Sequence, residues 1–91
     1  SRAILKNPDL LILDEPTTGL MPLFVQSLRE IIRRLNEEGM TILLVEERVA
    51  FALALAHQVY FMVKGKIAFS SEKEKLKDRK DIFIRYLGIE V

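Results

Sequence analysis

Leu10–Pro22 reads LLILDEPTTGLMP, an apolar run that ends in two acids and then enters a loop. A continuous apolar stretch such as Leu10–Leu13 suits a strand buried on both faces, as in a parallel sheet, although four residues alone also suit a buried helix. Asp14 to Met21 contains Pro16, two threonines and Gly19, and reads as a loop. Pro22 fits the first turn of a helix, where its missing N–H costs nothing. Beyond it, Phe24, Leu28, Ile31, Ile32 and Leu35 recur at helical spacing, with Arg29, Glu30, Arg33 and Arg34 off that stripe. Gly39 supplies the stop, and Thr41–Val45 reads as a second buried strand. Strand, amphipathic helix, strand is one right-handed crossover unit of a parallel sheet, which places the chain in the α/β class.

Outward from this unit, Ser1–Lys6 has helical composition and ends at Asn7–Pro8, because Pro8 restricts the residue before it. Arg48–Ala56 predicts a short apolar helix and Gln58–Val63 a third strand. Lys64–Gly65 predicts a tight hairpin into Lys66–Phe69. Glu72–Asp81 alternates in charge and reads as a solvated helix or loop. Ile82, Phe83, Tyr86 and Leu87 have helical spacing, with Gly88 as the cap; this helix either packs on the sheet or forms a partner surface. The lone His57 falls between a helix and a strand and reads as a helix-end residue rather than a ligand.

The 91 residues suffice for one small domain, and with 49% apolar residues a core is possible. The net charge is +1, with acids and bases interspersed, which argues against a dedicated nucleic-acid surface. No cysteine is present, so disulfides and thiolate metal sites are excluded. No apolar run approaches the length of a membrane span, and no signal-peptide pattern opens the chain. Ser1 is not a start methionine, and the expectation is a piece cut from something longer.

The chemistry lies in Asp14 and Glu15. A strand ending in Asp-Glu places two carboxylates at the carboxyl edge of a sheet, where open α/β sheets bind ligands. The first can hold Mg²⁺, a hard cation that keeps several waters. The second can orient and polarise an attacking water. An ordinary loop pair would look the same in isolation. The following Pro-Thr-x-Gly-Leu-x-Pro fixes a particular loop path that a plain surface turn does not require.

This stretch resembles the Walker B motif and D-loop of ABC-transporter ATPase subunits. SRAILKNPDL resembles the segment after that family's signature motif. MTILLVEERVAFALALAHQVYFMVKGKIAF resembles its switch strand, following helix and terminal hairpin. The GL-x-P ending of the loop, LLVE, FAL-x-LA and the closing RYLG are most similar to ATPases of branched-chain amino acid importers. The resemblance implies a partial P-loop NTPase fold of the RecA-like, ABC ATPase type. It makes Asp14 the Mg²⁺ carboxylate and Glu15 the catalytic base. Thr17, Gly19, Leu20 and Met21 would belong to the D-loop, which in the family crosses to the partner subunit's nucleotide. Glu47 would stand at the switch histidine position. ATP and Mg²⁺ are the implied cofactors. A second ATPase subunit and membrane permease subunits are the implied partners, on the cytoplasmic face of the membrane, with no nucleic acid.

Two positions depart from the family. Met21 stands where most members have aspartate. Glu47 is a carboxylate where histidine or glutamine would donate a hydrogen bond to the γ-phosphate; either it repels that phosphate, or it pairs with Arg48 and points away. No G-x-x-x-x-G-K-[ST] loop occurs: the four glycines, Gly19, Gly39, Gly65 and Gly88, form no cluster. The Q-loop and signature motif are also missing, so the resemblance covers the C-terminal part of the domain. It predicts pairing of Leu10–Leu13 with Thr41–Val45. It also leaves a strand missing between Thr41–Val45 and Gln58–Val63, giving either an apolar slot or a closure foreign to the family. The rival readings are a non-catalytic interaction module, and a fragment of another P-loop ATPase such as a DNA-repair or chromosome-maintenance head.

Overall fold

The computed structural model describes residues 2–7 and 9–88. The chain is a mixed α/β protein that divides into two compact units, Ser1–Leu55 and Ala56–Val91.

In the first unit, β1 (Arg2–Asn7), β2 (Leu10–Asp14) and β3 (Thr41–Val45) form one sheet in that order. The crossover unit is present as expected. β2 and β3 are parallel, with Leu10 opposite Thr41 and Asp14 opposite Val45, and helix α1 (Pro22–Glu37) connects them. The opening segment differs from its expectation. Arg2–Asn7 is a strand, antiparallel to β2, rather than a helix. Six residues are too few to sustain a helix without tertiary support, whereas the open edge of β2 offers a ladder to any extended segment. Pro8 lies outside the described residues.

α1 starts at Pro22 with no side-chain cap on its N-terminal side. It ends where Gly39 takes φ 106° and the Asn36 side-chain amide donates to the Met40 carbonyl at 2.8 Å. The helix presents Val25, Leu28 and Ile32 to the sheet residues Leu11, Leu13, Ile42 and Leu44. Phe51 and Leu55 of α2 (Val49–Leu55) complete this core. The expected apolar stripe was too wide: Phe24 and Ile31 are 55% and 53% exposed. Val25, Leu28 and Ile32 form the line packed into this core, because a helix on one sheet face buries a single stripe. The side chain of Arg33 also joins α1 to α2, donating to the Ala54 carbonyl at 3.2 Å.

On the far edge of β3 no ladder partner exists among the described residues, and β4 (Gln58–Val63) pairs with β5 (Lys66–Glu72) alone.

In the second unit β4 and β5 form the predicted hairpin. β5 runs to Glu72, three residues beyond the expected Phe69, because Gln58 and Val59 continue the ladder opposite Glu72 and Ser71. Lys64 and Gly65 both have positive φ, 51° and 81°, the pattern of a two-residue turn whose twist matches the strands. Lysine tolerates that conformation poorly. Lys64→Asn is expected to stabilise the chain by about 0.5–1 kcal/mol, read as a higher urea midpoint with unchanged slope. α4 (Lys80–Leu87) packs on the hairpin: Phe83 meets Phe61 edge-on at 5.6 Å between centroids, and Tyr86 stacks on Phe69 at 6.1 Å. Gly88, φ 70°, caps α4 as expected. The charged stretch before it is only partly solvated. It contains the single turn α3 (Lys73–Leu76), and Leu76 is buried with Ile82 and Phe83.

Candidate functional site

Because β2 and β3 are parallel and in register, their carboxyl ends emerge at one edge. Asp14 and Glu15 leave β2 there, and Glu46 and Glu47 leave β3. The Glu15 N–H donates to the Val45 carbonyl at 2.8 Å, which carries the inter-strand pairing one residue past the ladder. The chain then turns sharply. Glu15 has φ 51°, in the left-handed region that side chains other than glycine rarely occupy. Its carbonyl accepts from the Thr18 N–H at 3.2 Å, and the Thr17 carbonyl accepts from the Leu20 N–H at 3.1 Å. Strain of this kind persists where the surroundings over-determine it.

Thr17 is the most deeply buried polar residue among those described, 1% exposed. Its hydroxyl donates to Glu46 Oε1 at 2.8 Å. The other oxygen of Glu46 accepts from the Arg48 backbone N–H at 3.0 Å. One carboxylate thus bridges the two loops that follow the parallel strands. Sequence reasoning passed over Glu46. The available signal was its position, one residue past a buried strand at the same edge as Asp14.

The acids repel one another. Loss of hydration raises the Glu15 carboxyl above the usual glutamate range, Glu46 and Glu47 raise it further, and Asp14 adds a smaller push in the same direction. A hydrogen bond from the Glu47 backbone opposes them. A carboxyl whose pKa is higher folded than unfolded lowers stability at neutral pH, and that penalty shrinks as pH falls through the folded value and is gone below the unfolded one. Glu15→Gln is therefore expected to raise Tm slightly at pH 7 and to match the parent chain near pH 3. The gain stays small because the side chain is partly solvated. Thermal unfolding across that range checks both ends.

Asp14 is exposed at the strand end. Among the described residues no three His, Cys, Asp or Glu side chains converge to enclose a metal ion. A single outward carboxylate still suits Mg²⁺, which needs few protein ligands and retains water. Glu47 is exposed and belongs to none of the ion pairs among the described residues, which are Glu30–Arg33, Glu74–Lys77 and Asp81–Arg79. The alternative of a Glu47–Arg48 ion pair is not met; Arg48 is engaged instead through its backbone, by Glu46. Gly19, φ 80°, supplies the left-handed position of the loop, Leu20 is half-buried, and Met21 is 65% exposed. No helix among the described residues is long and apolar enough to cross a membrane.

Comparison with known proteins names the class to which this parallel strand pair with its edge of acids belongs. The chain belongs to the ATP-binding proteins of ABC transporters, whose sequence it follows over nearly its whole length. It is 39% identical over 96% of its length to the high-affinity branched-chain amino acid transport ATP-binding protein BraG of Pseudomonas aeruginosa, covering 37% of that protein. It is 38% identical over 89% of its length to the lantibiotic transport ATP-binding protein SrtF of Streptococcus pyogenes, covering 35% of it. The probable amino-acid import ATP-binding protein YxeO of Bacillus subtilis is 36% identical over 97% of the chain, which covers 37% of YxeO. The chain thus spans little more than a third of the length of these relatives. No family model matches it.

Proposed function

We propose that these residues are the C-terminal part of an ABC ATPase domain, of the P-loop NTPase type, which powers import of branched-chain amino acids in a longer protein. The observation that carries the reading is the shared edge of β2 and β3, from which Asp14–Glu15 and Glu46–Glu47 emerge together.

In this reading Asp14 holds Mg²⁺ through its outward carboxylate. Bound Mg²⁺ neutralises charge on the phosphoryl group being transferred. Glu15 holds the attacking water and takes its proton, a role that a raised pKa assists by strengthening the base. Thr17 to Met21 form the loop toward a second ATPase subunit, and Met21 offers that subunit an apolar rather than a charged contact. Glu47, an exposed carboxylate, stands at the switch position and repels a phosphate at neutral pH. The permease, the dimer and the cytoplasmic membrane face belong to the longer protein. Branched-chain cargo is supported by GL-x-P, LLVE and RYLG and by the likeness to BraG. The nearly equal identity to the lantibiotic protein shows that overall identity does not separate cargo classes.

The 91 residues hold no phosphate-cradling glycine cluster, so no nucleotide step is assigned to them alone. Calorimetric titration of the chain with Mg-ATP is expected to give no binding at micromolar concentration. Micromolar affinity would show that the phosphate site lies within these residues, against the proposal. A second reading, a non-catalytic interaction module, is favoured by Glu47, a carboxylate at the switch position. It predicts that Glu47→Gln leaves the longer protein as inactive as before, whereas the ATPase reading predicts faster hydrolysis.

A further inference from the structure

We infer that Glu46 is a positioning residue: through the Thr17 hydroxyl it locks the loop after β2 to the loop after β3 and so holds Glu15 in its left-handed conformation. The inference rests on the role proposed above for Glu15 and deepens it.

Three observations converge on Glu46. Its carboxylate is spent entirely on the two loops, with Oε1 accepting from Thr17 at 2.8 Å and Oε2 from the Arg48 N–H at 3.0 Å. The Thr17 side chain is 1% exposed, so its hydroxyl has no water to fall back on, and losing its acceptor leaves a buried donor unpaired. Glu15, two residues before Thr17, has φ 51°. A glutamate keeps such a conformation only under constraint from both sides. One side is the Glu15 N–H bond to Val45. The other is the turn that contains Thr17: the Thr18 N–H closes it locally on the Glu15 carbonyl at 3.2 Å, and the Thr17 hydroxyl is what ties it to the loop after β3.

The geometry also suits a carboxylate. Both contacts donate to Glu46, from a hydroxyl and from a backbone N–H, so an acceptor-only group satisfies them together. An amide could keep both contacts only by reversing one of them, with its oxygen on the Arg48 N–H and its NH2 donating to the Thr17 oxygen. The bridge spans 29 residues of sequence between Thr17 and Glu46, yet only the ends of two adjacent strands in space. It therefore ties the position of the water-polarising carboxylate to the loop that bears Glu47.

Amide hydrogen exchange by NMR on the intact chain tests this, using Thr17→Val, Glu46→Ala, the double variant and Thr17→Ser. Exchange at the Glu15 N–H is expected to rise about 5- to 10-fold in each single variant, the equivalent of one hydrogen bond. The double variant should be no faster than either single one, since they break the same lock. Thr17→Ser keeps the hydroxyl and should stay within about 2-fold of the parent. Ladder amides at Leu11 to Leu13 should keep their rates. Equal acceleration of those ladder amides would reduce the bridge to a general stabiliser and overturn the inference. So would multiplicative effects in the double variant, or an unchanged Glu15 rate. If Glu46→Ala does not fold, the contrast between Thr17→Val and Thr17→Ser decides alone. The exchange result is independent of ATP hydrolysis, so a failed lock and a failed ATPase assignment are told apart.

Discussion

Glu15→Gln in the full-length protein carrying this sequence is expected to lower kcat for ATP hydrolysis by about 10²–10⁴-fold, with KM for ATP within about 2-fold. Glutamine is nearly isosteric with glutamate and keeps the backbone bond from the Glu15 N–H to Val45. It cannot take a proton from water. A loss confined to kcat identifies a group that acts in the transition state, whereas a loss confined to KM would mean that Glu15 only helps to bind nucleotide. Steady-state hydrolysis over a range of ATP concentrations separates the two. Unchanged kcat would remove Glu15 from the chemistry and with it the reading of the strand-end acids as a hydrolytic corner. Asp14→Asn offers a contrast, because weaker metal binding by that variant should be partly offset by raised Mg²⁺, which cannot rescue Glu15→Gln.

Phe51→Ala should remove most of the cooperative folding of the Ser1–Leu55 unit. Among the described residues the buried core of that unit consists of Leu13, Ile32 and Phe51. Phe51 is 5% exposed and is the only aromatic one. Truncating a buried phenylalanine costs about 3–5 kcal/mol, from lost transfer energy and the cavity left behind. Small domains have about 5–15 kcal/mol in total. The expected result is a fall in Tm of about 15 °C or more, or loss of the transition. Ile31→Ala is the control: its side chain is 53% exposed, so a change within about 0.5 kcal/mol is expected. Equal losses from the two substitutions would mean that α1 meets the sheet through a different stripe.

That control marks a limit of sequence pattern. Helical spacing placed Phe24 and Ile31 with Leu28 and Ile32, since all four are apolar and lie within one broad arc. Only contact with the sheet shows that the line through Val25, Leu28 and Ile32 is the buried one. The opening segment carries a similar lesson. Arg2–Asn7 has residues suited to helix, and the vacant edge of β2 outweighs that local preference. Leu76 makes the point in reverse: a charged neighbourhood suggested solvent, yet the side chain is buried with Ile82 and Phe83.

The acids divide along the same line. Asp14 and Glu15 were legible in LLILDEPTTGLMP because an apolar run long enough for a strand must end at an edge, and its next residues must emerge there. The crossover was legible too, since strand, helix and strand of these lengths read as one right-handed unit, while the direct pairing with Thr41–Val45 was implied by the family resemblance. Glu46 was not. Its importance depends on Thr17, which is 29 residues away and becomes a neighbour only when β2 and β3 lie side by side. Local patterning determines which segments are strands and helices, because propensity and burial periodicity act over a few residues. The tertiary structure alone decides which carboxylate faces solvent and which accepts hydrogen bonds, because those contacts exist only between segments distant in sequence.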